Sequence, residues 1–102
     1  MLTFPAQYID YFQQQRPKEG SLTVEPGWFQ LSSPDKVEEL NREYKIHEFA
    51  PGFLAFGSSG GGELLAFDAL KRVVMLPVIS MSPEAARVIA DSWTDFVQTI
   101  AQ

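Results

Sequence analysis

Two short apolar runs on either side of a glycine turn form the clearest pattern in the chain. Residues 53 to 56 (Phe-Leu-Ala-Phe) and 64 to 67 (Leu-Leu-Ala-Phe) flank the sequence Gly57-Ser58-Ser59-Gly60-Gly61-Gly62. Apolar runs of this length, separated by turn residues, are typical of two strands joined in a hairpin. A third run, Val73 to Leu76, is apolar at every position and predicts a central strand of the same sheet.

The first half of the chain has weaker sequence patterns, some typical of helices and some typical of strands. The patterns predict helices over residues 5 to 15 and 34 to 43, strands over residues 21 to 24 and 28 to 31, and a loop over residues 45 to 50. The second helix has a start signal, Ser33-Pro34-Asp35, with a capping hydroxyl, a first-turn proline and an acidic residue.

The C-terminal segment permits two interpretations. After Ser82-Pro83-Glu84, apolar residues recur at spacings of three and four, namely Ala86, Ile89, Trp93, Phe96, Val97 and Ile100. This periodicity favours one helix from 83 to 101. Ser92 and Asp95 resemble a capping box, which favours a short turn followed by a separate helix from residue 92.

Together these elements predict a single α+β domain over residues 1–102. We expect an antiparallel sheet of about four to five strands with helices packed against it. The large aromatic side chains, including those of Trp28, Trp93 and Phe96, are expected in the core.

The composition of the chain indicates which kinds of partner and which cellular location are expected. The chain has 102 residues, a net charge of −5, a pI of about 4.7 and no cysteine. The net negative charge argues against nucleic acid as a partner, because binding to its phosphates requires clustered Lys and Arg. The absence of cysteine favours a cytoplasmic location. The first residues lack the pattern of a signal peptide, and no apolar run reaches the ~20 residues that span a bilayer.

The glycine turn suggests two catalytic alternatives, and both lack required residues. A phosphate-binding P-loop needs Lys after its last glycine, whereas Glu63 follows Gly62 here. Gly57 to Gly61 matches the G-x-S-x-G of hydrolases, but that elbow needs a strand-to-helix turn and a histidine later in the chain, and the only histidine is His47. We therefore expect no catalytic residues, no cofactor and no metal site.

Four segments in order resemble the SMI1/KNR4 family, also called the SUKH superfamily. The opening Phe4-Pro5 with its following aromatics is similar to the family's Leu-Pro-x-x-Tyr-x-x-Phe. Trp28 to Tyr44 is similar to its strand, Ser-Pro helix start and Asn-x-x-Tyr. Pro51 to Asp68 resembles its Gly-Ser-x-Gly-Gly-Gly segment ending at Asp, and Ala90 to Phe96 resembles its closing Ala-(Asp/Glu)-Ser-Phe-x-x-Phe.

Two features depart from the family pattern. The helix that usually precedes the Leu-Pro motif is not found before Phe4, and an expected Asn-Gly after the first helix is replaced by Arg16-Pro17-Lys18-Glu19-Gly20. The resemblance therefore implies a member shortened at the N-terminus.

The resemblance implies an α+β fold without enzymatic activity and a binding role. Bacterial members are commonly immunity proteins that neutralise a toxin, often a nuclease, and fungal members regulate cell-wall synthesis. We expect an immunity protein whose partner is a basic toxin domain, with a regulatory or scaffold role toward an endogenous partner as the alternative. The chain is expected to be a monomer or a homodimer without membrane contact.

Candidate contact residues come from the acidic helix and from the hairpin. They are Glu38, Glu39, Glu43, Ser58, Ser59, Gly60, Glu63 and Asp68. Acidic side chains on an exposed helix face are suited to a basic partner, because charge complementarity speeds encounter.

Overall fold

The computed structural model describes residues 4–101, which form one α+β unit. Its helices are α1 (Ala6–Gln13), α2 (Val37–Glu43), α3 (Ile46–Phe49) and α4 (Trp93–Gln98). Its strands are β1 (Glu19–Ser21), β2 (Trp28–Leu31), β3 (Leu54–Ser58), β4 (Glu63–Phe67), β5 (Val73–Pro77) and β6 (Arg87–Ala90). Short 3₁₀ turns at Pro34–Lys36 and Pro83–Ala85 precede α2 and β6.

The sheet is an antiparallel meander of six strands in the order β1-β2-β3-β4-β5-β6. The expectation of four to five strands was therefore too low, although the α+β class and the antiparallel sheet are confirmed. β5 has neighbours on both sides, as its uniformly apolar sequence predicted. Within residues 4–101, none of the helices has the length and apolar character that a membrane span requires.

The sixth strand comes from the segment whose periodicity suggested a long helix. Residues Arg87–Ala90 pair with β5, so the prediction of a helix from 83 to 101 is wrong. The helical spacing arises because Ile89 and Ala90 of the strand pack on the same core as Trp93 and Phe96 of α4. The local cap was the better guide, since the Ser92 hydroxyl accepts a hydrogen bond from the Asp95 amide (3.1 Å) and α4 begins there.

Two further segments differ from the sequence-based expectation. Residues 45 to 50, expected as loop, contain α3, whose single buried side chain, Ile46, fixes this short helix against the sheet. The first strand lies at Glu19–Ser21 and not at 21 to 24. Beyond it, residues 21 to 23 pair with the C-terminal segment: Thr23 N donates to Thr99 O (2.7 Å) and Ala101 N to Ser21 O (2.9 Å).

The core has two parts, one on each face of the sheet. On one face, α1 and α4 bury Tyr8, Trp93 and Phe96 against Phe56 and Phe67. On the other face, Ile46 of α3 packs with Ala55, Leu64, Ala66, Val74 and Leu76. Helices therefore cover both faces of the sheet.

The predicted hairpin is present and closely packed. β3 and β4 are joined by the glycine turn, and the register shifts between Ala55 and Gly57, so that Phe56 is an extra residue on β3. Gly57 lies directly against β2, because a Cβ at this position would stand 2.3 Å from the backbone oxygen of Gln30. A side chain is therefore sterically excluded at Gly57.

Candidate protein-binding surface

The glycine turn is organised by the hydroxyl of Ser59. This side chain is only 8% exposed. Its Oγ accepts hydrogen bonds from the amides of Gly61 (3.1 Å) and Glu63 (3.4 Å) and lies 3.0 Å from Glu63 Oε1, to which it donates. Gly60 and Gly62 adopt φ of +78° and +117°, a region that favours glycine. The hydroxyl is thus used to hold the loop in shape.

The surroundings of Ser59 match neither catalytic alternative raised by the sequence. A carboxylate, Glu63, occupies the place where a P-loop has Lys. The turn leads from strand β3 to strand β4 and not into a helix. His47 lines a different groove, in company with Phe4, Val37 and Phe53.

Exposed apolar side chains surround the glycine turn. Trp28 of β2 lies over Gly60, whose Cβ position is 3.3 Å from Trp28 Cδ1. Trp28 is 38% exposed, so the expectation that it belongs to the core is wrong, whereas Trp93 and Phe96 are buried as expected. On the other side of the turn, Val78 donates its amide to Gly62 O (3.0 Å), and Ile79 next to it is 84% exposed.

A neighbouring hollow extends this apolar surface toward α3. Tyr44 and Val78 line both the hollow beside the glycine turn and the one beside Phe49 and Met81. Phe49 is half exposed. We call this region the glycine-turn surface and define it by Trp28, Tyr44, Phe49, Val78, Ile79 and the loop Ser58–Glu63.

Five of the eight contact residues predicted from the sequence lie in this surface or at its margin. One of them, Glu63, has been described above. Ser58, Ser59 and Gly60 belong to the turn itself, and Ser58 Oγ lies 3.3 Å from Gln30 Oε1. Glu43, at the end of α2, lines the hollow beside Phe49 together with Lys45. The structure thus brings the end of the acidic helix next to the glycine turn.

The other two acidic residues of α2 are not part of the glycine-turn surface. Glu38 lies in a separate groove and forms an exposed ion pair with Arg42 (3.3 Å), one turn away on the same helix. Glu39 is exposed on α2 and lines neither of the two hollows. Exposed pairs of the Glu38–Arg42 kind contribute little to stability.

Asp68 lies in the turn between β4 and β5, at the opposite end of the sheet. Its Oδ1 accepts hydrogen bonds from the amides of Leu70 (3.0 Å) and Arg72 (2.8 Å), and its Oδ2 accepts one from Arg72 Nε (2.7 Å). The side chain is mostly buried and closes the turn. Its carboxylate is therefore engaged within the chain and separated from the other candidate residues.

A second groove lies between α1 and α2. It has a volume of ≈ 790 Å³ and is lined mainly by apolar side chains, among them Phe4, Ile9, Val37 and Phe53. Arg42, Glu38 and His47 stand at its polar positions. A cavity of this size is in the range of small-molecule sites, and two of its charged groups, Glu38 and Arg42, pair with each other.

The groups with shifted pKa values serve the fold. Burial raises the pKa of Tyr8 and, to a smaller extent, of Tyr11. A hydrogen bond from the Ser33 side chain lowers the pKa of the Asp35 carboxyl at the start of the turn before α2. Among residues 4–101, no group of three or more His, Cys, Asp or Glu side chains could hold a metal ion.

No protein-family model and no curated protein matches this sequence. Sequence patterns alone did not identify Trp28, Phe49, Val78 and Ile79 as surface residues. One signal for surface exposure was available in the sequence, the apolar pair Val78-Ile79. It lies between Pro77 and Ser82-Pro83, and prolines disfavour regular secondary structure in such a segment.

Proposed function

We propose that this chain is a non-enzymatic protein-binding module that contacts its partner through the glycine-turn surface. The observation that carries this proposal is the group of accessible aromatic and aliphatic side chains around one internally hydrogen-bonded loop. Ile79 is 84% exposed, Trp28 and Tyr44 stand beside the same turn, and the half-exposed Phe49 lies in the adjoining hollow. Clusters of exposed apolar side chains mark interaction sites, and Trp and Tyr are enriched among residues that dominate binding energy.

The partner that fits best is a basic protein domain. Glu43 and Glu63 lie among the apolar residues of the surface, with Lys45 as a counter-charge. The chain as a whole carries a net charge of −5. Charges at the margin of an apolar centre set encounter rate and specificity, so a partner rich in Lys and Arg is favoured.

The resemblance of four segments to the SUKH superfamily suggests which biological role this binding serves. It supports an immunity protein that occupies and neutralises a toxin, with a basic nuclease domain as the expected class of toxin. The hydrogen bonds that Ser59 makes within the loop agree with such a role, because a preorganised contact surface reduces the entropy lost on binding. A regulatory protein of the same fold would use the same surface for an endogenous partner.

Affinity capture from the source organism's lysate tests this proposal. The baits are the wild-type chain and Ile79→Asp, each used at low and at high salt, and captured proteins are identified by mass spectrometry. A basic toxin domain that is retained by the wild type, lost with Ile79→Asp and weakened by salt would support the immunity role. Capture of housekeeping proteins with the same dependence on Ile79 would support the regulatory role.

A captured protein counts as a partner only if the substitution at Ile79 removes it. Leu70→Asp is the matched control, because Leu70 is also strongly exposed but lies in the β4–β5 turn at the other end of the sheet. Equal capture by wild type, Ile79→Asp and Leu70→Asp would contradict binding through the glycine-turn surface.

A further inference from the structure

Gly61 in the glycine turn is the one glycine of this chain that the fold does not require. Its φ lies outside the left-handed region, and a Cβ there would meet only Ser59 Oγ, at 3.8 Å, which is an ordinary contact distance. The other six glycines either adopt a positive φ or would place a Cβ within 3.2 Å of a neighbouring atom. The absence of a side chain at Gly61 leaves the peptide groups of the turn bare, as they are where a ligand lies close to the backbone.

The bare peptide lines the hollow beside the glycine turn. Residues 60–62 form part of this hollow, together with the apolar groups of Tyr44, Pro77 and Val78, and its volume is ≈ 610 Å³. Gly61 itself is exposed. The hollow therefore suits an occupant that combines a planar group, which can lie against bare peptide, with an apolar stem.

The charge of the hollow favours a cation. Glu63 is the only charged residue among those of residues 4–101 that line it, and Lys45 lines the adjoining hollow and not this one. Glu63 Oε1 accepts a hydrogen bond from Ser59, and no basic side chain in the described part of the chain forms an ion pair with this carboxylate. A partly buried carboxylate beside apolar groups and without a counter-charge attracts a weakly hydrated cation.

We infer that the hollow beside the glycine turn holds an arginine side chain of the partner, with its guanidinium plane against the bare peptide of Gly61. The guanidinium is always charged and weakly hydrated, and it stacks on planar groups such as the ring of Tyr44. The apolar stem of the arginine lies along Pro77 and Val78. A lysine ammonium is compact and strongly hydrated, so it gains less from these contacts. This inference rests on the proposed function and names the group by which a basic partner is recognised.

Titration of the isotope-labelled chain with N-acetyl-arginine amide tests the inference without a partner. The amide signals of residues 60–62 and Val78, followed by NMR, report on the hollow directly. We expect the arginine probe to shift them with a dissociation constant in the millimolar range, because a single small group binds weakly. N-acetyl-citrulline amide has the same shape without the charge, and N-acetyl-lysine amide has the charge without the plane. Both should bind about threefold more weakly or worse.

Two variants of the hollow and one control are compared with the wild type. Gly61→Leu covers the bare peptide and should abolish the response to the arginine probe. Glu63→Gln keeps an oxygen that accepts from the Ser59 hydroxyl but removes the charge, so it should weaken binding about threefold or more. Ala69→Leu adds an exposed side chain in the β4–β5 turn at the other end of the sheet and should respond as the wild type does. Circular dichroism shows that each variant is folded.

An arginine probe that shifts none of these amides in the wild type would overturn the inference. Equal binding of the citrulline or lysine probe, or an unchanged response in folded Gly61→Leu, would do the same. These results are independent of the capture experiment. A chain that loses its partner with Ile79→Asp but does not bind the arginine probe refutes the arginine site alone, whereas capture that does not depend on Ile79 refutes the proposed function.

Discussion

The side chain of Asn41 on α2 pairs with the backbone of Ala55 on β3 as a neighbouring strand would. Its Nδ2 donates to Ala55 O (2.7 Å) and its Oδ1 accepts from Ala55 N (2.8 Å). β2 ends at Leu31, level with Gly57, so it does not reach Ala55. The amide thus satisfies backbone groups that would otherwise be buried without partners, and it joins the acidic helix to the hairpin that presents the glycine turn.

Replacing Asn41 should destabilise the fold strongly, although only one small side chain is changed. Asn41→Ala leaves the amide and carbonyl of Ala55 without this partner, and we expect a loss of about 2–3 kcal/mol in the free energy of unfolding. Urea denaturation followed by circular dichroism measures it. Asn41→Asp keeps the acceptor for the Ala55 amide but places a carboxylate oxygen against the carbonyls of Ala55 and Val37, so at neutral pH it should be no more stable than Asn41→Ala. A loss below about 0.5 kcal/mol for Asn41→Ala would show that the pairing is dispensable.

A methyl group at Gly57 should separate β2 from β3. Its Cβ would stand 2.3 Å from Gln30 O, a backbone atom that cannot move without disturbing the sheet. We expect Gly57→Ala to cost about 3 kcal/mol or more, or to prevent folding.

Gly61→Ala is the matched control for Gly57, because it lies in the same hairpin and a Cβ there meets only Ser59 Oγ at 3.8 Å. Its effect should stay within about 0.5 kcal/mol. Thermal unfolding of both variants measures the difference. Equal melting temperatures would contradict the close approach of the two strands.

Stability should decline at alkaline pH because Tyr8 is buried in its neutral form. Its hydroxyl donates to the carbonyl of Ser32 and lies 3.2 Å from the carbonyl oxygen of Phe56. Burial raises its pKa above the ordinary value of 10.0, so the folded state retains a proton that the unfolded chain releases. The unfolding free energy therefore falls as the pH rises above about 10.

Tyr8→Phe separates this effect from general alkaline unfolding. At neutral pH the variant should be less stable by about 1–2 kcal/mol, since the Ser32 carbonyl loses this donor, whereas the Phe56 carbonyl still accepts from the Ser32 amide (2.8 Å). Between about pH 10 and pH 11 its stability should fall less steeply than that of the wild type. Parallel pH profiles for the two proteins, obtained by denaturation at a series of pH values, would argue against a neutral, buried Tyr8.

The predictable part of the fold rests on local signals. The hairpin around the glycine turn, strand β5 and the start of α4 at Ser92 follow from apolar runs, turn residues and a cap. β6 could not be predicted in this way, because Ile89 and Ala90 in a strand and Trp93 and Phe96 in a helix share one core and produce a helical spacing. Tertiary packing there outweighs the periodicity of the sequence.

The candidate site was predictable only in its loop. Glycines and serines between two strands identify an accessible turn, and Glu43 was expected to be exposed. The position of Trp28 was not predictable, because its contact with Gly60 depends on the register of β2 against β3, which pairs Gln30 with Ser58. The exposure of Ile79 likewise depends on where β5 ends.

The affinity of one variant pair for the captured partner tests the central claim most directly. Isothermal titration calorimetry would compare the wild type with Ile79→Asp and Leu70→Asp, after circular dichroism has shown all three to be folded. We expect Ile79→Asp to lose about 30-fold or more in affinity, the effect of a central contact worth about 2 kcal/mol, while Leu70→Asp stays within about twofold. Unchanged affinity for Ile79→Asp, or an equal loss in both variants, would contradict binding through the glycine-turn surface.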